Sequence, residues 1–122
     1  RLCKGSYIGP RSVTLIRPHD VDLRMAACLR ALMAGPSTVM LASHDPVFVA
    51  LGEQLMVSLD RQLEFQMLQG IRPLEQRRLV DIGHRMRVYL PYGYDWYRYC
   101  TRRIVERPGN IWLFGRSLVE RR

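Results

Sequence analysis

Arg102 and Arg103, followed by Glu106, are the residues of this sequence best suited to grip an anion. Adjacent residues on a helix project about 100° apart, so both guanidinium groups reach one anion only if the helix lies across the site. Glu106 stands four residues after Arg102 and three after Arg103, a spacing at which a carboxylate can hold one guanidinium in place. On the residues alone, a solvated basic helix face is the simpler account. Other polar and aromatic groups fall in four short clusters. These are Lys4, Gly5, Ser6 and Tyr7; then Ser43, His44 and Asp45; then Gln66 and Gln69; and last Tyr89, Tyr92 and Tyr94. Each has a plain structural alternative. Lys4 could be a paired structural charge, Gly5 could simply make a turn, and His44 could bond local backbone at a helix entry.

The elements that must position these clusters repeat four times. Strand-like runs cover 1–4, 38–42, 63–68 and 87–90, and each is followed by a helix-like run. In the first helix Val21, Met25, Cys28, Leu29 and Leu32 recur at helical spacing, with Asp20 or a neighbour as cap and Gly35-Pro36 as stop. Asp45 suits the N-cap of the second, with Pro46 at its first position and Phe48, Val49, Leu51, Leu55 and Met56 along it. Gly70 ends the third strand, and Pro73 opens a helix that runs to Gly83. A last helix spans about 95–106 and breaks at Pro108-Gly109, and a short apolar segment at 111–118 can resume helix. Four strand–helix alternations predict an α/β fold with a parallel sheet. Ligands of such folds bind at the carboxyl ends of the strands, where the four clusters stand. Glu64 and Gln66 alternate with apolar neighbours and so share one face; a buried carboxylate there needs a basic partner. Met40, Met56 and Met67 read as core filling. Pattern alone leaves a half barrel and an open flavodoxin-like sheet both standing.

Composition limits the possibilities. At 122 residues the chain is one domain at most, whereas a complete α/β barrel takes about 200–250 residues. The formal net charge of +8 suits nucleic acid, an anionic membrane surface or an anionic ligand. Its arginines are scattered, which argues against a nucleic-acid stripe. Cys3, Cys28 and Cys100 have no metal-ligand spacing and do not suggest a disulfide framework, so a reducing cytoplasm is expected. No apolar run approaches the roughly 18 residues of a spanning helix. The sequence opens at Arg1, without methionine and in mid-strand, and is therefore expected to be a truncated piece of a longer chain.

At these residues the chain resembles the proline dehydrogenases. The matching segments are RLCKGSY at 1–7, LASHDP at 41–46, EFQMLQGI at 64–71, RVYLPYG at 87–93 and WYRYCTRRIVERPGN at 96–110. They occur in the family's order and cover essentially the whole chain. Their wording is most similar to the monofunctional bacterial enzymes, which are related to the dehydrogenase domain of proline utilization A. The resemblance implies a distorted (β/α)8 barrel of which residues 1–122 supply strands five to eight and their helices. It implies FAD as cofactor and L-proline as substrate, oxidised to 1-pyrroline-5-carboxylate, with a quinone as electron acceptor.

Roles come from the same resemblance. Arg1 matches an arginine near the flavin N5, where a cation stabilises the charge that the ring gains. Lys4, Gly5 and Ser6 match flavin contacts after the fifth strand, Ser43 and His44 match a threonine–histidine pair on the cofactor, and Gln66 matches a glutamine near the ring. Leu68 and Tyr89 match residues lining the proline pocket. The family's last helix lies over the flavin, so Arg102 and Arg103 are implied to grip the substrate carboxylate, with Glu106 orienting them. Cys3, Ser6 and Ser43 stand where valine, alanine and threonine are usual, all small changes. Gly9-Pro10 lies where the family often has an acidic residue before the proline. The first four strands, with the family's active-site lysine and aspartate, are missing; the chain alone is expected to be inactive and poorly soluble. The alternatives are a catalytically incompetent remnant of the fold and, more weakly, a basic nucleic-acid-binding module. A peripheral encounter with anionic lipid would suit the charge.

Overall fold

The structure, a computed structural model, describes residues 1–4, 9–10, 12–90, 92–94 and 98. The chain divides into two compact units, Arg1–Gln66 and Met67–Arg122. The first holds strand β1 (Leu2–Cys3), helix α1 (Pro18–Ala34), strand β2 (Val39–Ala42), helix α2 (Pro46–Leu59) and most of strand β3 (Leu63–Leu68). The second holds the end of β3, helix α3 (Pro73–Asp81) and strand β4 (Arg85–Tyr89). β3 crosses the boundary and has β4 as its other neighbour, so the strands of the sheet follow chain order. No helix among the described residues is long and apolar enough to cross a membrane.

The three strands of the first unit are parallel. Leu2 pairs with Leu41 and Leu41 with Phe65; Cys3 pairs with Ala42 and Ala42 with Gln66. Paired residues share a face and successive residues alternate, so the register sorts every side chain. Leu41, Leu63, Phe65 and Val39 are buried on one face. α2 packs there so closely that Gly52 leaves no room beyond its α-carbon. A Cβ at that position would stand 2.8 Å from Leu63 Cδ2 and 3.1 Å from a ring carbon of Phe65. Phe48, Val49 and Met56 complete the buried stripe of this helix.

The expected helix signals hold with two corrections. α1 buries Met25, Leu29 and Met33, a strict i, i+4, i+8 stripe; Cys28 and Leu32, expected on the core side, are exposed. A 17-residue helix drifts slowly around its axis, and a short window of the sequence places its inner edge one position off. Asp20 is not the cap. Arg17 precedes the helix, Pro18 takes the first position, and Asp20 lies in the first turn, where its carboxylate accepts from Arg17 Nε at 2.6 Å. Asp45 does cap α2, its Oδ1 accepting from Val47 N at 3.0 Å, a bond of about 1 kcal/mol. Arg61 then locks the unit together, donating to the carbonyls of Met33 and Ser37, each at 2.8 Å. β4 begins two residues before the expected 87, because α3 ends early and Gly83, at φ 86°, turns the chain straight into it.

Candidate functional site

In the first unit, the face turned away from α1 and α2 carries the row Cys3–Ala42–Gln66. Two small side chains are followed by one amide, and Gln66 is buried. Its Nε2 donates to Glu64 Oε1, two residues back on the same face. The expected shared face of Glu64 and Gln66 is therefore present, and an amide stands against this carboxylate. Alternation puts Arg1, exposed at the entrance to β1, on the face of Cys3.

Lys4 goes the other way. It comes two residues after Leu2, so it emerges on the helix-covered face, opposite to Gln66. Its ammonium makes an ion pair with Asp22 of α1, lies 3.8 Å from Asp45 Oδ2 at the start of α2, and sits 5.6 Å from the centre of the Phe48 ring. The structural alternative for Lys4, a paired charge, describes its side chain.

At the end of β2, Ser43 is buried and its hydroxyl accepts from Asp45 N at 3.1 Å. This turn hands the chain from β2 to the capped start of α2. His44 lies between them, half-buried and with partners of its own. Ser43 and Lys4 thus share the α2 side of the sheet end, while Gln66 and Cys3 share the other.

In the second unit the end of β3 and the end of β4 are joined through Gln69 N, which donates to the Tyr89 carbonyl at 2.9 Å. Tyr89 is half-exposed and Leu68 half-buried. Behind them, Gln76 Nε2 donates to the Leu68 carbonyl at 2.9 Å and the Ile71 carbonyl at 2.7 Å. One amide on α3 therefore holds the turn that carries Leu68. Arg78 grips Glu75 through two bonds of 3.1 and 2.7 Å, and Arg72 stands 3.9 Å away. The Arg78 hydrogen bond, aided by the charges of Arg78 and Arg72, holds Glu75 below its ordinary carboxylate range against the opposing effect of burial.

Gly5, Ser6, Arg102, Arg103 and Glu106 lie outside the described residues, as does the helix expected at 95–106 except for Arg98, which is helical. Among the described residues no His, Cys, Asp or Glu side chains gather as a metal site requires. Two residues escaped the sequence reading: Asp22, whose place one turn into α1 signals nothing until β1 is beside it, and Gln76, which looks like one more polar residue of α3.

The comparisons with known proteins agree on one family. Its model, described as proline dehydrogenase, matches residues 9–110. Proline dehydrogenase 1 of Bacillus subtilis (strain 168) is 40% identical over 124 positions, covering 99% of this chain and 41% of that protein. Proline dehydrogenase 2 of the same strain is 40% identical over 114 positions, covering 91% and 38%. The proline dehydrogenase of Deinococcus radiodurans is 36% identical over 113 positions, covering 90% and 36%. The chain spans about two-fifths of the length of the curated relatives it matches.

Proposed function

The chain belongs to the proline dehydrogenase family, and from that premise we propose that it forms part of an FAD-dependent enzyme that oxidises L-proline to 1-pyrroline-5-carboxylate. The observation that carries this reading is the extent of the match, 40% identity over nearly the whole chain. In the same reading, the strand–helix alternation is the latter half of a (β/α)8 barrel, completed by sequence outside these 122 residues.

The described residues fit the cofactor. A flat ring needs low side chains beneath it and hydrogen-bonding groups at its edge. Cys3 and Ala42 are low, and the amide of Gln66 stands in the same row. Bound FAD supplies a two-electron acceptor for the hydrogen on the proline ring carbon next to nitrogen. The chain's own residues bind and orient. Arg1 sets a positive charge near the ring and Gln66 stands at its edge, while Ser43, His44, Gly5 and Ser6 contact the cofactor beyond the sheet, where the chain leaves β2 and β1. Leu68 and Tyr89 line the proline pocket. Arg102 and Arg103 fork the substrate carboxylate, a geometry that suits guanidinium better than ammonium, and Glu106 orients them. The amine proton leaves to solvent as the carbon–nitrogen double bond forms. Onward electron transfer to a membrane quinone, by a cytoplasmic protein that meets anionic lipid peripherally, belongs to the same proposal and agrees with the +8 charge.

The test is expression of the full-length parent protein. It is expected to be yellow and to bleach anaerobically with L-proline. Arg102→Met and Arg103→Met should each raise KM for proline far more than they lower kcat. Unchanged proline affinity in both variants refutes the carboxylate assignment, and a colourless parent that binds no FAD refutes the function.

A further inference from the structure

The ion cluster behind the end of β1 has no part in the reaction as described. Lys4 Nζ joins three elements: its own strand, Asp22 of α1, and Asp45 at the start of α2. Asp22 Oδ1 is shielded from solvent and meets the ammonium as an ion pair rather than through a well-angled hydrogen bond. Asp45 divides its oxygens, Oδ1 capping α2 through Val47 N and Oδ2 facing Lys4. The Lys4 ammonium also stands over the Phe48 ring, itself buried. Two carboxylates face one cation, so the cluster has no positive charge to spare. To reach a ligand on the other face, the ammonium would have to leave a shielded carboxylate oxygen without its cation, which is unfavourable.

We propose that Lys4 and Asp22 are positioning residues: the Lys4–Asp22–Asp45 brace fixes the chain leaving β1 against the Ser43–His44 turn, and the Lys4 ammonium is not itself a cofactor ligand. Gly5 and Ser6, the cofactor contacts proposed above, follow Lys4 directly in the chain. This inference rests on the FAD reading above, and it changes the role which the resemblance gave to Lys4. It also assigns a role to Asp22, which no strand-end argument reaches.

The two roles are separable by a double-mutant cycle in the full-length parent protein, with Lys4→Met, Asp22→Asn and the pair. FAD affinity is read by titrating the apoprotein, and the environment of the bound flavin by its visible circular dichroism. A brace is broken by removing either end. Each single variant should weaken FAD binding by about tenfold, and the pair likewise by about tenfold relative to wild type rather than a hundredfold. The visible dichroism should change alike in all three, a signature that a plain loss of stability leaves unmoved. Lys4→Arg, which keeps the charge, should restore most of the affinity. If Asp22→Asn binds FAD as well as wild type while Lys4→Met loses it, or if the two losses multiply, the ammonium is a ligand and the brace is refuted. The thermal midpoint of the apoprotein separates this from the functional reading, since non-additive midpoints are required of the brace whether or not FAD binds. Additive midpoints overturn it. Should Lys4→Met fail to fold, Asp22→Asn alone decides, because intact FAD affinity there is incompatible with the brace.

Discussion

Gly52→Ala sets two well-calibrated effects against each other. Gly52 lies in the interior of α2, where alanine is favoured over glycine by about 1 kcal/mol. On helix propensity alone the substitution stabilises. The added methyl, however, would meet Leu63 Cδ2 at 2.8 Å and two ring carbons of Phe65 at 3.1 and 3.3 Å. The shortest of these is about 0.7 Å inside an ordinary carbon–carbon contact. Leu63 and Phe65 are each 1% exposed, so neither has space to retreat into. Overpacking of this kind costs about 1–3 kcal/mol, and the net expectation is a loss of about 1 kcal/mol. For a protein of the relatives' length, about 300 residues since 124 positions make up 41% of one of them, that lowers the thermal midpoint by roughly 1–2 °C. Because Phe65 stands between Glu64 and Gln66, the displaced strand should also weaken FAD binding. The assay is the thermal unfolding of the full-length protein, wild type against Gly52→Ala, with and without added FAD. A raised midpoint would mean that α2 does not press on β3 at this point, and the packing argument would fall.

Further expectations concern the second unit. Gln76→Leu removes the donor to the Leu68 and Ile71 carbonyls; at about 1 kcal/mol per lost bond, KM for proline should rise about fivefold or more, with kcat little changed. An unchanged KM would show that α3 does not position Leu68. Glu75 has a folded pKa below its ordinary value, chiefly through the Arg78 hydrogen bond. Its contribution is therefore full above the unfolded carboxylate pKa and is lost as pH falls through the lowered folded one. Glu75→Gln should destabilise the protein near neutrality and flatten the acid limb of stability against pH, followed by circular dichroism. Acid limbs of equal slope would exclude that linkage.

The sequence by itself determined what local chemistry decides. The Asp45-Pro46 start of α2 and the Gly70 turn need only neighbours along the chain, and both stand where the residues put them. The bounds of β3 coincide with the expected run 63–68, closed by the Gly70 turn. The family, too, was legible, because its motifs are contiguous words in a fixed order. Tertiary structure decided the rest. Whether Lys4 faces Gln66 or the helices depends on the register of β1 against β2, and no property of Lys4 carries that information. Asp22 gains meaning only when α1 is laid over β1, and Gly52 only when α2 is laid over Phe65. In each case two residues far apart in sequence meet because a parallel crossover returns the chain to the same sheet end. Sequence spacing governs what a residue can reach within its own element; contacts between elements are set by register and packing.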